Sequence, residues 1–595
     1  MPESSHGAQV TGRKKMYELV NVALGETEAD LAIVNGSIVN VYTGEVLTGD
    51  TVLIKGDKIA YVGKDTGKAI GSSTKVIDAT GKYLIPGLID GHTHADIVYS
   101  ISELLRYAMK GGTTTIITEV YDLTFSLGYQ GIIEFLRSAK NQPIKIFITA
   151  PSMVTISPVA KEHALTVNEV SKLIRRKEVL GLGESYWAPV IAGDQRMFDL
   201  ITETIKARKK LEGHTSGAKG NKLQAYIALG ISSCHEPITV EEVIERLRLG
   251  ICVLIREGEV RRELEVISKI KDENIDFTRL AISTDGVAPQ QLTTDGYMEF
   301  VVQKAVDLGF NPILAIQMAT INVARHFAID DFIGGIAPGK YADIIIIPDL
   351  RTIQAEYVIS NGQVIAENGQ LVIQPRKHTY PKSIQNTIRL PRNFDANDFA
   401  IRVASDRSQA KVRVIDQVTE LVTREAIIDI PVSNGQLQPD ISKDILKVAA
   451  IERNHLPGKT FVGFIRGIGL KQGAIASSAI WDSCDIMVVG ANETDMAQAV
   501  NRIRQLGGGI VICADNKILA EISLPVGGTI STEPMETIAQ KLHAIQQAAT
   551  DLGCTLPDIR TTLAVLPTPA IAHLRICEHG LVNLRQNRFV ELIVE

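Results

Sequence analysis

Two histidines one residue apart close an apolar stretch in Pro86-Gly87-Leu88-Ile89-Asp90-Gly91-His92-Thr93-His94. In a strand, side chains two apart face the same side, so the imidazoles of His92 and His94 can reach one cation. The chain has only 12 histidines, which makes this pair a poor candidate for coincidence. Four more residues continue the series at the edges of apolar segments. Glu184 stands in Leu182-Gly183-Glu184-Ser185, His214 in Glu212-Gly213-His214, His235 in Ser232-Ser233-Cys234-His235-Glu236, and Asp285 closes Ile282-Ser283-Thr284-Asp285. Any one of these alone is ordinary, since a single histidine is more often core or surface and a single glutamate after a strand is usually solvated. The specificity lies in the order His-x-His, Glu, His, His, Asp at successive strand ends. Four imidazoles and two carboxylates suit a pair of borderline divalent ions such as iron, manganese or zinc. Two close ions lower the pKa of a water between them. The chemistry that follows is hydrolysis at an electrophilic carbon: a cyclic amide, an ester, or a ring carbon carrying an amino group.

These residues need a scaffold that brings strand ends together. Apolar strand candidates alternate with helix-length stretches at Tyr83–Ile85, Thr113–Ile117, Ile144–Ile148, Val179–Gly181, Ala225–Ile231, Cys252–Ile255 and Arg279–Ser283. Strand and helix in alternation argue for parallel βαβ units. Residues 84–336 have the length of a (β/α)₈ TIM-like barrel, whose active sites sit at the C-terminal strand ends. Before it, Leu31–Val34, Ser37–Val41 and Asp50–Ile54 are short and β-branched, with Asn-Gly and Gly-Asp pairs that read as turns. After it, Asp343–Ile347, Ala355–Ser360 and Gln363–Ala366 repeat that style around Asn361-Gly362 and Asn368-Gly369. Residues 1–83 and 337–380 are therefore expected to form one discontinuous β-sandwich domain. A helix is expected around Lys15–Leu24, stopped by Gly25. Residues 375–395 read as a linker. Residues 396–595 form a third, α+β region with strands at Ile486–Val489 and Gly509–Ala514 and helices at Glu493–Leu506 and Pro534–Leu552. Gly507-Gly508-Gly509 lacks the Gly-Lys-Ser/Thr ending of a phosphate loop and reads as a tight turn.

The 595 residues exceed one hydrophobic core, and the 45% hydrophobic and 22% charged fractions are those of a globular protein. A net charge of −6 with no basic domain argues against a nucleic-acid partner. Arg13-Lys14-Lys15 and Arg208-Lys209-Lys210 read as solvated helix faces. The six cysteines are scattered with no Cys-x-x-Cys pair, which fits a reducing compartment. Met1–Gly12 is polar and unlike a signal peptide. No apolar run reaches the roughly 20 residues of a membrane span. The expected location is cytoplasmic, with no membrane partner.

With these residues in view, the chain resembles the adenine deaminases of the amidohydrolase superfamily from about residue 17 to the C-terminus. The stretches that carry the resemblance include PGLIDGH, GGTTTIITE, TAPSMV, NKLQAYIALGISSCHE, RLRLGICVLIREG, MATINVARHF, IAPGKYADIIII, GFIRGIGLKQGAIASS and LGGGIVI. By position, the resemblance implies that His92 and His94 are the first-strand metal pair and Glu184 the bridging carboxylate. It implies that His214 and His235 are the ligands of strands five and six, and that Asp285 is ligand and proton shuttle. Several positions depart from the family pattern. Ala95-Asp96-Ile97-Val98 replaces an Ile-Glu-Ser-Ser run, Glu119-Val120-Tyr121-Asp122 an Asp-Pro-His-Glu, and Glu184-Ser185-Tyr186-Trp187 a Glu-Met-Met-Asn. Cys234 replaces an aspartate, Gly286-Val287 an Asp-Arg, and Cys484 a histidine.

The resemblance implies two divalent ions, manganese or iron with zinc as the alternative, and a small purine substrate. The implied reaction is adenine plus water to hypoxanthine plus ammonia, by attack of a metal-bridging hydroxide on C6. Asp285, Glu184 and Glu236 are the catalytic candidates; Ser152, Glu236, Glu119 and Tyr186 are the candidates for substrate contact. A homodimer is expected by analogy with other barrel hydrolases. Two alternatives stand beside this reading: hydrolysis of another heterocycle or cyclic amide, and a non-catalytic binding or assembly paralogue.

Overall fold

The computed structural model describes residues 4–403 and 408–594. Residues 1–3, the start of the polar N-terminal segment, and residues 404–407 and 595 of the third region lie outside the described residues.

Eight parallel strands carry the series of candidate ligands: β1 (Leu88–His94), β2 (Thr113–Glu119), β3 (Lys145–Ala150), β4 (Val179–Tyr186), β5 (Lys210–His214), β6 (Ser233–Cys234), β7 (Cys252–Arg256) and β8 (Leu280–Ser283). β1 to β5 pair in sequence order, as do β6 to β8. Backbone hydrogen bonds close both seams, from Ser232 N to Leu211 O (2.8 Å) and from Asp285 N to His92 O (3.0 Å). Ile89, Ile117, Leu180, Leu254 and Ala281, from five of these strands, form a buried cluster beneath the ligand-bearing ends. This is the filled interior of a TIM-type barrel, in which side chains leave no pore.

Two sequence expectations change here. Tyr83–Pro86 is not a barrel strand; the chain breaks at Gly87, and Tyr83–Pro86 joins a different sheet. Of residues 225–231, expected as a strand, 225–227 end a helix, Gly220–Ile227, and 228–231 form the turn and loop after it. Leu223 and Tyr226, three apart, face the core, whereas the short apolar run alone cannot tell buried helix from buried strand.

The segments on either side of the barrel share one nine-stranded sheet, in which Ile344–Ile347 pairs antiparallel with Tyr83–Pro86. Asn361-Gly362 takes positive φ at both residues (51° and 75°) and turns one hairpin, the geometry that matches strand twist. Asn35-Gly36 does not turn the chain. It forms an irregularity inside one long strand, Leu31–Asn40, and position 36 needs glycine because a Cβ there would stand 2.3 Å from the Leu84 side chain.

The third region is built on a ten-stranded sheet. Helix Glu493–Leu506 buries Met496, Val500 and Ile503 against Ala449, Val488 and Val511 of that sheet. It starts at Asn492, whose side chain accepts from Asp495 N, and stops at Gly507 in the left-handed conformation (φ 74°), as a helix C-cap favours. This region docks on the ligand-bearing end of the barrel. Val98 N donates to Thr529 O (2.8 Å) and Ser531 N to Val98 O (2.9 Å). Arg453, 1% exposed, reaches Ser126 Oγ in the barrel (2.9 Å). No helix among the described residues is long and apolar enough to cross a membrane, and all six cysteines are buried thiols.

Candidate metal centre

The C-terminal ends of β1, β4, β5, β6 and β8 bring the six candidate ligands together. Glu184, at the end of β4, is central. Its Oε1 lies 3.0 Å from His92 Nε2, 3.3 Å from His94 Nε2 and 3.3 Å from His235 Nε2, and its Oε2 lies 3.4 Å from His214 Nδ1. Asp285 Oδ1 faces the first two imidazoles from the other side, at 3.2 Å from His92 and 3.5 Å from His94. Ligand atoms of His92, Glu184, His235 and Asp285 lie within 4.8 Å of one another, and a second such group is His214, His235 and Glu236.

The donor set fits divalent metal. His92 Nε2 and His214 Nε2 are buried without a hydrogen-bond partner, although carboxylate oxygens stand 3.0–3.4 Å away. Ring nitrogens and carboxylates aimed at one point, rather than at each other, are what a shared cation requires. The electrostatics agree. Burial alone would push Glu184 up, but the imidazoles of His214 and His235 hold it well below the carboxylate range. Burial opposes charge on His94, yet Asp285 and Glu184 hold it well above the imidazole range.

Buried polar contacts support several of the candidate ligands. Asp90 accepts from Thr284 Oγ1 (2.6 Å) and from the backbone N–H groups of Thr284 (3.2 Å) and His92 (3.3 Å), joining β1 to β8 beneath the centre. Asp285 itself has a positive φ (56°), a conformation that costs free energy for a non-glycine residue and recurs at functional sites. Beside His214, the Tyr226 hydroxyl meets Ser185 Oγ at 3.0 Å and accepts from His214 N at 3.4 Å.

The candidate contact residues fall into two groups. Glu236 and Tyr186 line a cavity of about 860 Å³ that opens above the centre, together with His94, Glu184, His214, His235 and Asp285. Ser152 and Glu119 do not reach its wall. Ser152 is fully buried and donates to the Glu184 carbonyl (2.8 Å), which the Tyr121 hydroxyl also binds (2.9 Å). Glu119, 1% exposed, accepts from Glu184 N (3.3 Å) behind His92; burial and the Glu184 charge push its carboxyl up to about 7. Both residues support Glu184 from outside the cavity.

Two residues enter the site unannounced by the motif series. Arg256, at the end of β7, donates from Nη1 to Asp285 Oδ2 (3.1 Å) and Glu236 Oε1 (3.0 Å), while Glu263 accepts from its Nε and Nη2 (3.1 Å each). It stands beside Asp285, where the family's adjacent Asp-Arg pair has become Gly286-Val287. The signal was present as the one charged residue ending Cys252–Arg256. Asp482, from the third region, lines the cavity with Trp481, Arg560, His573 and Arg585. Burial and the charge of Glu184 push the Asp482 carboxyl up to about 7.

A parallel eight-stranded barrel with metal-ligand side chains at its C-terminal ends is the plan of a metal-dependent hydrolase, and residues 83–372 match the Amidohydrolase family. Residues 420–588 match the Adenine deaminase C-terminal domain. Along its length the chain is 36% identical to an adenine deaminase of Moorella thermoacetica over 583 residues, covering 97% of this chain and 98% of the relative. It is 36% identical to adenine deaminase 3 of Rhizobium meliloti over 584 residues (97% and 98%), and 34% identical to an adenine deaminase of Clostridium botulinum over 584 residues (97% of each). The chain belongs to the adenine deaminase family.

Proposed function

We propose that this protein hydrolyses adenine to hypoxanthine and ammonia, using two divalent ions, manganese or iron, held by His92, His94, Glu184, His214, His235 and Asp285. The observation that supports it best is the convergence of these six side chains, five of them lining one cavity, in a chain that matches an adenine deaminase over 97% of its length. Bound there, the ions would lower the pKa of a water and so supply the nucleophile at neutral pH.

The chain's own residues do the rest. The water oxygen bonds to C6 and the C6–N6 bond breaks, so protons must move from water to the ring nitrogen and the leaving amine. Asp285 is our candidate for this transfer: His92, His94 and Arg256 outweigh its burial and hold it well below the carboxylate range, so it is ionised at neutral pH. Arg256 fixes the Asp285 carboxylate through Oδ2, leaving Oδ1 toward the centre. Glu236, held by the same guanidinium, takes the amine or the proton that reaches the ring nitrogen beside C6. The six unpaired cysteines support a cytoplasmic setting.

The deciding experiment loads the protein with manganese, iron or zinc and screens purines, pyrimidines and cyclic amides by ammonia release and ring absorbance. Adenine is expected to be turned over best. A cyclic amide turned over at a higher kcat/KM would move the substrate assignment, and a metal-loaded protein inert to all would favour a binding role.

A further inference from the structure

The cavity above the centre has two owners. The barrel supplies the floor and one side, and the third region supplies the opposite wall through Trp481, Asp482, Arg560, His573 and Arg585. Of that wall's side chains, Asp482 is the one carboxylate. The carboxylates of the metal centre are engaged: Glu184 and Asp285 face imidazoles, and Glu236 faces His235 and Arg256. Among the described residues no ion pair involves Asp482. Its backbone has a φ of 58°, a left-handed conformation that aspartate accepts better than most residues but still at some cost. Trp481 N donates to Ala564 O (3.0 Å), which ties the residue before it to the helix Ile559–Ala564. The carboxylate is thus held at the cavity by a turn that other residues disfavour.

From this placement we infer that Asp482 is a substrate-binding residue, accepting the ring N–H of the purine and so making the third region part of the active site. The inference rests on the adenine reading. In its predominant tautomer adenine carries its one imidazole-ring N–H at N9, across the ring system from the C6 amino group that must face the metal ligands. A carboxyl oxygen accepts from such a donor, and a bound N–H favours the charged form, whose hydrogen bond is worth more than one between neutral partners. The wall opposite the ligands is where that end of the ring must lie.

The test compares the metal-loaded parent with Asp482→Gly and Asp482→Asn. Glycine keeps the positive φ and removes the carboxylate, and asparagine also tolerates this conformation while offering a weaker, neutral acceptor. Both variants should keep the parent's metal content and thermal midpoint. For adenine, KM should rise ~10–100-fold in the glycine variant and by less in the asparagine variant, with kcat changing only a few-fold. The parent should prefer adenine to 9-methyladenine, which lacks the ring N–H, and the glycine variant should lose most of that preference. An active parent whose variants keep their KM, or lose both substrates equally, overturns the inference and leaves the adenine reading standing. A parent inert to adenine overturns the reading, and the inference falls with it.

Discussion

Asp285 is asked to do two things that can be separated by one atom. A residue that only ligates metal can be replaced in part by another oxygen donor, whereas a residue that carries the proton cannot. Asp285→Asn keeps the shape and one oxygen but removes the group that can take up a proton at neutral pH. It should retain most of its metal and lose about 10²–10⁴ in kcat, measured together with metal content on one preparation. If metal is full and kcat stays within a few-fold, Glu236, joined to Asp285 through Arg256, is moving the proton. The imidazoles carry a second prediction. Burial opposes charge on His92, but Asp285 and Glu184 outweigh it and push its pKa from 6.5 up to about 10. A raised histidine stabilises the metal-free fold fully below pH 6.5, and that contribution is lost as pH rises through about 10. Metal must displace the same proton, so metal affinity should climb steadily between pH 6.5 and 9, with proton release on binding. Titration calorimetry in buffers of different ionisation enthalpy reads both. Affinity that is flat across this range would mean the imidazoles are already neutral.

At the scale of strands and turns, the site depends on where strand ends stop, and a single added methyl tests this. A Cβ on Gly258 would lie 1.9 Å from Thr284 O and 2.3 Å from Gly286 O. Both are backbone atoms flanking Asp285, so neither can swing aside. Gly258→Ala should displace Asp285 while leaving the circular dichroism spectrum native, lose metal, and cost about 10²-fold in rate, as misplacements of an ångström do. Unchanged metal content would show that the turn after β7 yields instead. Parallel strand ends also explain what could be read in advance. His92 and His94 were visible because the period of a strand puts both on one face, and the barrel class followed from alternating strand and helix. Arg256 was not, because its meaning comes from the pairing of β7 with β8, which places its guanidinium beside Asp285 across 29 residues. Ser152 and Glu119, expected to touch substrate, lie behind Glu184 on its backbone, because which side of a neighbour a residue supports depends on packing that spacing does not encode. Ala225–Ile231 was misread as a strand because a short apolar run fits helix and strand alike.

Across the whole molecule, Asp482 and its wall lie far beyond Asp285 in the chain, and no periodicity links the two. The role of the third region is legible only once the docking contacts are seen. Arg453 is the most buried of these, donating to Gly527 O (3.0 Å), Ser478 O (3.3 Å) and, in the barrel, Ser126 Oγ (2.9 Å). Arg453→Met keeps much of the volume and strands three acceptors, so the thermal midpoint should fall by several degrees, since each such bond carries ~1.5–3 kcal/mol. Because the docked region forms one wall of the cavity, KM for the substrate should rise more than kcat falls. A variant that loses stability but keeps KM would mean that this wall holds its place without Arg453.

The nine-stranded sheet has a consequence for how the chain is made. Tyr83–Pro86 finds its antiparallel partner in Ile344–Ile347, about 260 residues later. At roughly 5–20 residues per second on the ribosome, the earlier strand waits on the order of 13–50 s with an open, apolar edge while the barrel is synthesised. Exposed edges of that kind recruit other chains. The newborn protein is therefore most exposed to misassociation during the interval in which its catalytic barrel is being completed.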